Sequence, residues 1–114
     1  MTMSDQIATL RGMADYVEAG GAEGSPNRKR IAEMSPPERE RWAESARNEA
    51  APIRATAELL DRANREHNGC GMIHSAVSRL GYIAQDKSLE ETVRAAIYLA
   101  KKGLTWSDVL AINS

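Results

Sequence analysis

The run from Ser35 to Gly69 constrains this chain most, because it is the longest stretch with one consistent period. Ser35 is a good helix cap, and Pro36 suits the first helical position, where no amide donor is needed. Glu38 and Glu40 follow, near the positive end of the helix dipole, which favours acids. Glu58 with Arg62 and Asp61 with Arg65 stand four apart, acid before base, an order that supports an exposed helix face. Asn68-Gly69 supplies a stop, with Gly69 able to take the left-handed conformation past the end. The apolar side is Trp42, Ala46, Ile53, Ala57 and Leu60, flanked by Ala43, Ala50 and Leu59, and its spacing is helical rather than alternating. Pro52 interrupts it. Inside a helix a proline removes one hydrogen bond and clashes with the carbonyl four residues back, a cost of about 3 kcal/mol. The expectation is a long central helix over about 36–67, kinked near Asn48 to Ala51 or split there with Pro52 opening a second helix.

The other segments read as shorter helices able to fold against this one. Ser4 can cap a first helix, Asp5 to Ala19, with Ile7, Leu10, Met13, Ala14 and Val17 on one face. Gly20-Gly21 ends it. Ser25-Pro26 repeats the cap-then-proline signal and predicts a short helix from Pro26 to Met34 that buries Ile31 and Met34. After Gly69 the period predicts a helix from Met72 to Ala84 with Ile73, Ala76, Val77, Leu80 and Ile83 inward. Ser88 with Glu91 reads as a capping box. The helix it opens, Leu89 to Lys102, is expected to bury Leu89, Val93, Ala96, Ile97 and Ala100. Thr105 with Asp108 forms a second such box, opening a last helix through Ile112. The fold class is therefore all-α: one domain, 1–114, a small bundle of five or six helices.

Composition then limits function. The chain has no Phe, two Trp and three Tyr, so its core rests on Leu, Ile, Val, Met and Ala. Such a core is thin for the length, since aromatic side chains supply much of the buried area in most domains. A thin core gains stability by association, which points to a homo-oligomer, a dimer first, or to another protein as partner. The net charge of −1, from 15 basic and 16 acidic residues, lacks the basic excess of a nucleic-acid binder. One cysteine cannot form an internal disulfide, which fits a reducing cytoplasm. No secretion signal and no apolar run of membrane-spanning length is apparent.

Four constellations could carry chemistry. His67, Cys70 and His74 are the right donor types for zinc, although their spacing is not a strong zinc pattern and the glycines around Cys70 already read as a turn. The carboxylates of the long stretch read as a solvated face, since two-metal bundles use Glu-x-x-His motifs that are absent here. Gly103-Leu104-Thr105 with Val109 and Ile112 matches part of a helix-turn-helix. The second helix begins Trp106-Ser107-Asp108 and carries no Arg or Lys to read bases or hold phosphates. Arg28, Lys29 and Arg30 would be the phosphate contacts of that alternative, and as a surface charge run they need no ligand. Trp42 and Trp106 are core or interface anchors.

The tail Lys101 to Ala111, KKGLTWSDVLA, resembles the endings of various small bacterial and phage helical proteins. That resemblance implies a phage or mobile-element accessory protein, such as an inhibitor of a host defence system. The leading expectation is a non-enzymatic protein-binding module, an inhibitor or adaptor needing no cofactor, with Trp42, Arg39, Arg47 and Trp106 at the partner surface. The alternatives are a DNA-binding regulator through the terminal hairpin and Arg28 to Arg30, and a metal-dependent activity at His67, Cys70 and His74.

Overall fold

The computed structural model describes every residue from Met1 to Ser114. Six helices and no strand make up the fold: α1 (Met3–Ala19), α2 (Pro26–Ala32), α3 (Pro36–Arg65), α4 (Gly69–Arg79), α5 (Leu89–Lys101) and α6 (Trp106–Asn113). The all-helical bundle around a long central helix is thus present. At 1.5 Å per residue the 30 residues of α3 span about 45 Å. They set the longest dimension of the molecule, which measures 50 × 27 × 23 Å.

Pro52 does not split α3, which continues on both sides of it. Pro52 and Asn48, whose carbonyl loses its partner, both lie on the exposed side. Water can hydrate that carbonyl, so the missing bond is not buried. One turn on, the Thr56 hydroxyl donates back to the Pro52 carbonyl at 2.8 Å.

The apolar stripe of α3 changes width along its length. In the first half Ala46 and Ala50 are buried, on the side that α1 covers. In the second half Thr56, Ala57, Leu59, Leu60 and Ala63 are all buried. Adjacent buried leucines mean that the helix is covered on two sides, by α1 and by α4 with α5. The main core lies here, where Leu59, Leu60, Ile73, Val77, Leu99 and Val109 are fully enclosed. Asp61 ties the layers at the edge, pairing with Arg65 at 2.9 Å and with Arg11 of α1 at 3.6 Å.

Several boundaries correct the sequence reading. Thr2, not Ser4, caps α1: its hydroxyl accepts from the Asp5 amide at 3.1 Å, and its own amide donates to the Asp5 carboxylate at 3.0 Å. Helix α2 stops at Ala32 and buries no residue, leaving Ile31 and Met34 only half-buried. Helix α4 begins at Gly69, because the left-handed turn falls on Asn68 (φ 57°) instead. It ends at Arg79, so Ile83, expected inward, is 86% exposed. The inward face of helix α5 is shifted in part: Ala96 and Ala100 are buried as expected, joined by Glu91, Thr92, Ala95 and Leu99, while Leu89, Val93 and Ile97 are half-buried. The Thr105–Asp108 box stands as read, the Asp108 carboxylate accepting from the Thr105 amide at 2.8 Å.

Candidate functional site

Two regions present functional side chains. The first is the corner where α1 turns into α2. Gly20 and Gly21 adopt positive φ, 80° and 108°. The turn is pinned by two side chains of α2: Asn27 donates to the Gly20 carbonyl at 3.1 Å and the Arg28 Nε to the Gly21 carbonyl at 2.9 Å. Trp42 lies against this turn, so close that a Cβ on Gly20 would come within 3.1 Å of its ring. Tyr16 flanks the other glycine. The corner therefore gathers a half-buried tryptophan, a tyrosine 59% exposed and an arginine. Close by along α1, Met13 is 50% exposed.

Of the predicted partner-surface residues, Arg39 donates to the Met34 carbonyl at 3.0 Å and is otherwise exposed, as is Arg47. Trp106 is 7% exposed and belongs to the core cluster, so its indole is committed to the fold. That burial also holds the first residue of α6 inward, where a groove-reading helix would need it outward. Arg28 is drawn into the α1–α2 turn, which leaves Lys29 and Arg30 as the exposed part of the basic run. No three of the His, Cys, Asp and Glu side chains converge to hold an ion. His67 is exposed beyond the end of α3, whereas His74 is buried inside α4 and turned towards α5. The three residues are close in sequence, but the start of α4 at Gly69 sends them in different directions.

The second region is a cleft of about 800 Å³ between α4 and the segment Gly81 to Lys87. Gly71, His74, Ser75 and Ser78 form its helical wall at a spacing of three and four, one face of α4. His74 is only 8% exposed. Its Nε2 lies 2.9 Å from the Thr92 Oγ1, and that hydroxyl donates its single hydrogen to the Ser88 carbonyl at 3.0 Å. Nδ1 is buried and has no hydrogen-bond partner.

The opposite wall is held at both ends. The Tyr82 amide donates to the Val77 carbonyl at 2.9 Å, and its hydroxyl donates to the buried Glu91 carboxylate at 2.7 Å. That bond to Glu91 raises the Tyr82 phenol above its ordinary 10.0, with burial adding to it. The Tyr82 ring also packs on Tyr98, with centroids 5.1 Å apart. At the other end the Asp86 carboxylate accepts from the Ser88 amide at 2.8 Å, and its bonds to Ser88 hold it below its ordinary 3.8. Asp86 thus takes the amide that the expected capping box would have given to Glu91. The Ser88 hydroxyl still accepts from the Glu91 amide at 3.2 Å.

Comparison of the chain with family models, curated proteins and solved structures returns no match. No helix is long and apolar enough to cross a membrane.

Proposed function

We propose that this chain is a non-enzymatic protein-binding module whose recognition surface is the α1–α2 corner with the adjoining first half of α3, and that its first partner is a second copy of itself. The observation that carries this reading is the surplus of surface. A chain of 12.5 kDa folded to ordinary compactness exposes about 6,200 Å². This one exposes 7197 Å². Its radius of gyration, 16.6 Å, exceeds the roughly 13 Å of a compact domain of this length. The excess of about 1,000 Å² is the order of what one partner buries in a standard interface, about 800 Å².

The composition of the corner supports the same reading. Trp, Tyr and Arg are the residue types that dominate binding hot spots. Trp42, Tyr16 and Arg28 meet at one glycine turn, with Arg39 and Arg47 further along the same helix arm. Nine of the seventeen buried apolar residues are alanines, which allow helices to approach closely but bury little area each. An inhibitor or adaptor of this build, as the likeness of the tail to phage helical proteins implies, works by covering a surface. The cytoplasm, where Cys70 remains a thiol, is the compartment this reading takes.

Sedimentation equilibrium from micromolar to millimolar concentration tests the proposal. The expected result is a mass that rises to that of a dimer, with Tyr16→Glu weakening association while leaving the melting temperature of the dilute, monomeric chain unchanged. A monomer at every concentration, or a dimer indifferent to Tyr16→Glu, overturns it.

A further inference from the structure

We infer that the second copy docks along α1 itself: the α1 helices of two chains cross antiparallel at Gly12, with Arg11 of each paired to Asp15 of the other and Tyr16 of each seated beside Ala8 and Thr9 of the other. The inference rests on the self-association proposed above and carries the contact from Tyr16 along α1, away from the corner.

The first support is Gly12. It lies inside α1, and glycine is the poorest helix former after proline. Nothing within the chain asks for it. Its φ is not positive, and a Cβ built there would meet no atom within 4 Å. Alanine would fit and would favour the helix. What glycine gives instead is room for another backbone to come close. The neighbouring positions agree. Ala8 stands one turn before Gly12, and both are exposed. They border an open groove of about 470 Å³, with Arg11 and Asp15 beside them on α1 and with Asp61 and Asn64 across it on α3.

The second support is charge. Arg11 and Asp15 stand one turn apart on the same edge of this face. Both are loosely engaged within their own chain. Arg11, with its side chain 49% exposed, lies 3.6 Å from Asp61, which Arg65 holds more closely at 2.9 Å. Asp15, with its side chain 71% exposed, meets Arg54 through Oδ1, and Arg54 also holds Glu18 at 3.0 Å. A parallel two-fold pair would set Arg11 against Arg11 and Asp15 against Asp15. The antiparallel pair crossing at Gly12 brings Arg11 of one copy within two residues of the level of Asp15 of the other, about 3 Å along the axis. The contact is made twice, because a two-fold interface repeats each of its pairs. A face complementary to its own reverse fits a second copy.

Tyr16 completes the face on its other edge. It follows Gly12 by one turn and is among the most exposed large side chains of the molecule. In the crossed pair it comes level with Ala8 and Thr9 of the second copy, whose short side chains leave a recess for the ring. The Thr9 hydroxyl already donates to the Asp5 carbonyl at 2.8 Å, so covering it strands no donor. A tyrosine seated in such a recess is the kind of anchor that carries binding energy.

Sedimentation equilibrium of full-chain variants tests the register. Arg11→Glu and Asp15→Lys should each weaken dimerisation by about tenfold or more, since each sets like charges together at both contacts. An equimolar mixture of the two variants should recover the dimer, because in the mixed pair both contacts join opposite charges again. Gly12→Leu should abolish the dimer, while the dilute chain should melt at or above the temperature of the unaltered one, leucine being the better helix former. A dimer that Gly12→Leu leaves intact, or a mixture no tighter than either variant alone, overturns this register and leaves the corner reading standing. An unaltered chain that stays monomeric at every concentration overturns both.

Discussion

A single atom decides the sign of a substitution at Gly69. Replacing glycine by alanine inside a helix ordinarily stabilises by about 0.5–1 kcal/mol. At Gly69 the sign reverses, because a Cβ there would collide with the backbone of Ala63 where α3 hands over to α4. Gly69→Ala should lose about 1–3 kcal/mol in urea unfolding, the usual range for overpacking. Glu91, 4% exposed, accepts from Tyr82 and lies 3.7 Å from Arg94. Glu91→Ala should cost about 1–3 kcal/mol. Glu91→Gln, which keeps an acceptor but not the charge, should cost less and should move the Tyr82 phenol back towards 10, read by ultraviolet titration. The carboxylates of Asp5, Glu18 and Asp86 are held low by Thr2, Arg54 and Ser88 respectively. A depressed carboxylate contributes stability above its unfolded value, near 3.8 for Asp and 4.5 for Glu, and that contribution disappears as pH falls through the folded value. The melting temperature should therefore be insensitive to these groups above about pH 5 and should drop below about pH 4, with a shallower acid limb in Asp86→Asn.

For whole elements, caps and one proline are the testable features. Pro52 costs α3 a backbone bond without a compensating buried contact, since it sits on the solvent side. Pro52→Ala restores the donor to the Asn48 carbonyl and should raise stability by up to about 3 kcal/mol, measured by denaturant midpoint. A loss on that substitution would mean that the packing of α1 against α3 needs a bend there. Ser88→Ala removes the side-chain cap of α5 and should cost about 1 kcal/mol. Helix α2 has no buried residue, so its amides should exchange with solvent faster than those of α4 and α5, which line the enclosed core.

For the whole molecule, the two ends differ in kind. The end built from α4, α5, α6 and the second half of α3 encloses the large aliphatic side chains. The other end is an arm of two long helices and a short one, joined through alanines, Gly20 and Trp42. Association through the arm would bring the exposed area towards that of an ordinary domain of the same mass. A solution-scattering radius that matches the single chain at low concentration and rises with concentration is the expected signature.

Much of this architecture was legible in the residues alone. Helical period, caps and glycine stops are local: each depends on side chains within a turn of one another, so Ser25, Ser35, Ser88 and Thr105 announce their helices. The class of the fold and the length of α3 follow from these. Local signals do not say which side of a helix is covered, because that depends on where other helices lie. Adjacent Leu59 and Leu60 are both buried only because α1 and the α4–α5 pair arrive from two directions, and the inward face of α5 shifts to Glu91, Thr92 and Leu99 for the same reason. The His74 cleft was invisible in sequence: it needs the ending of α4 at Arg79, the anchoring of Tyr82 on Glu91 and the hydroxyl of Thr92, three features distant along the chain. Where the chain is helical can be read from its residues, since backbone capping and periodicity act over a few positions. Which groups are sealed, which are paired and which are left open emerges with the packed fold, since burial and pairing are set by neighbours that the chain brings from far away.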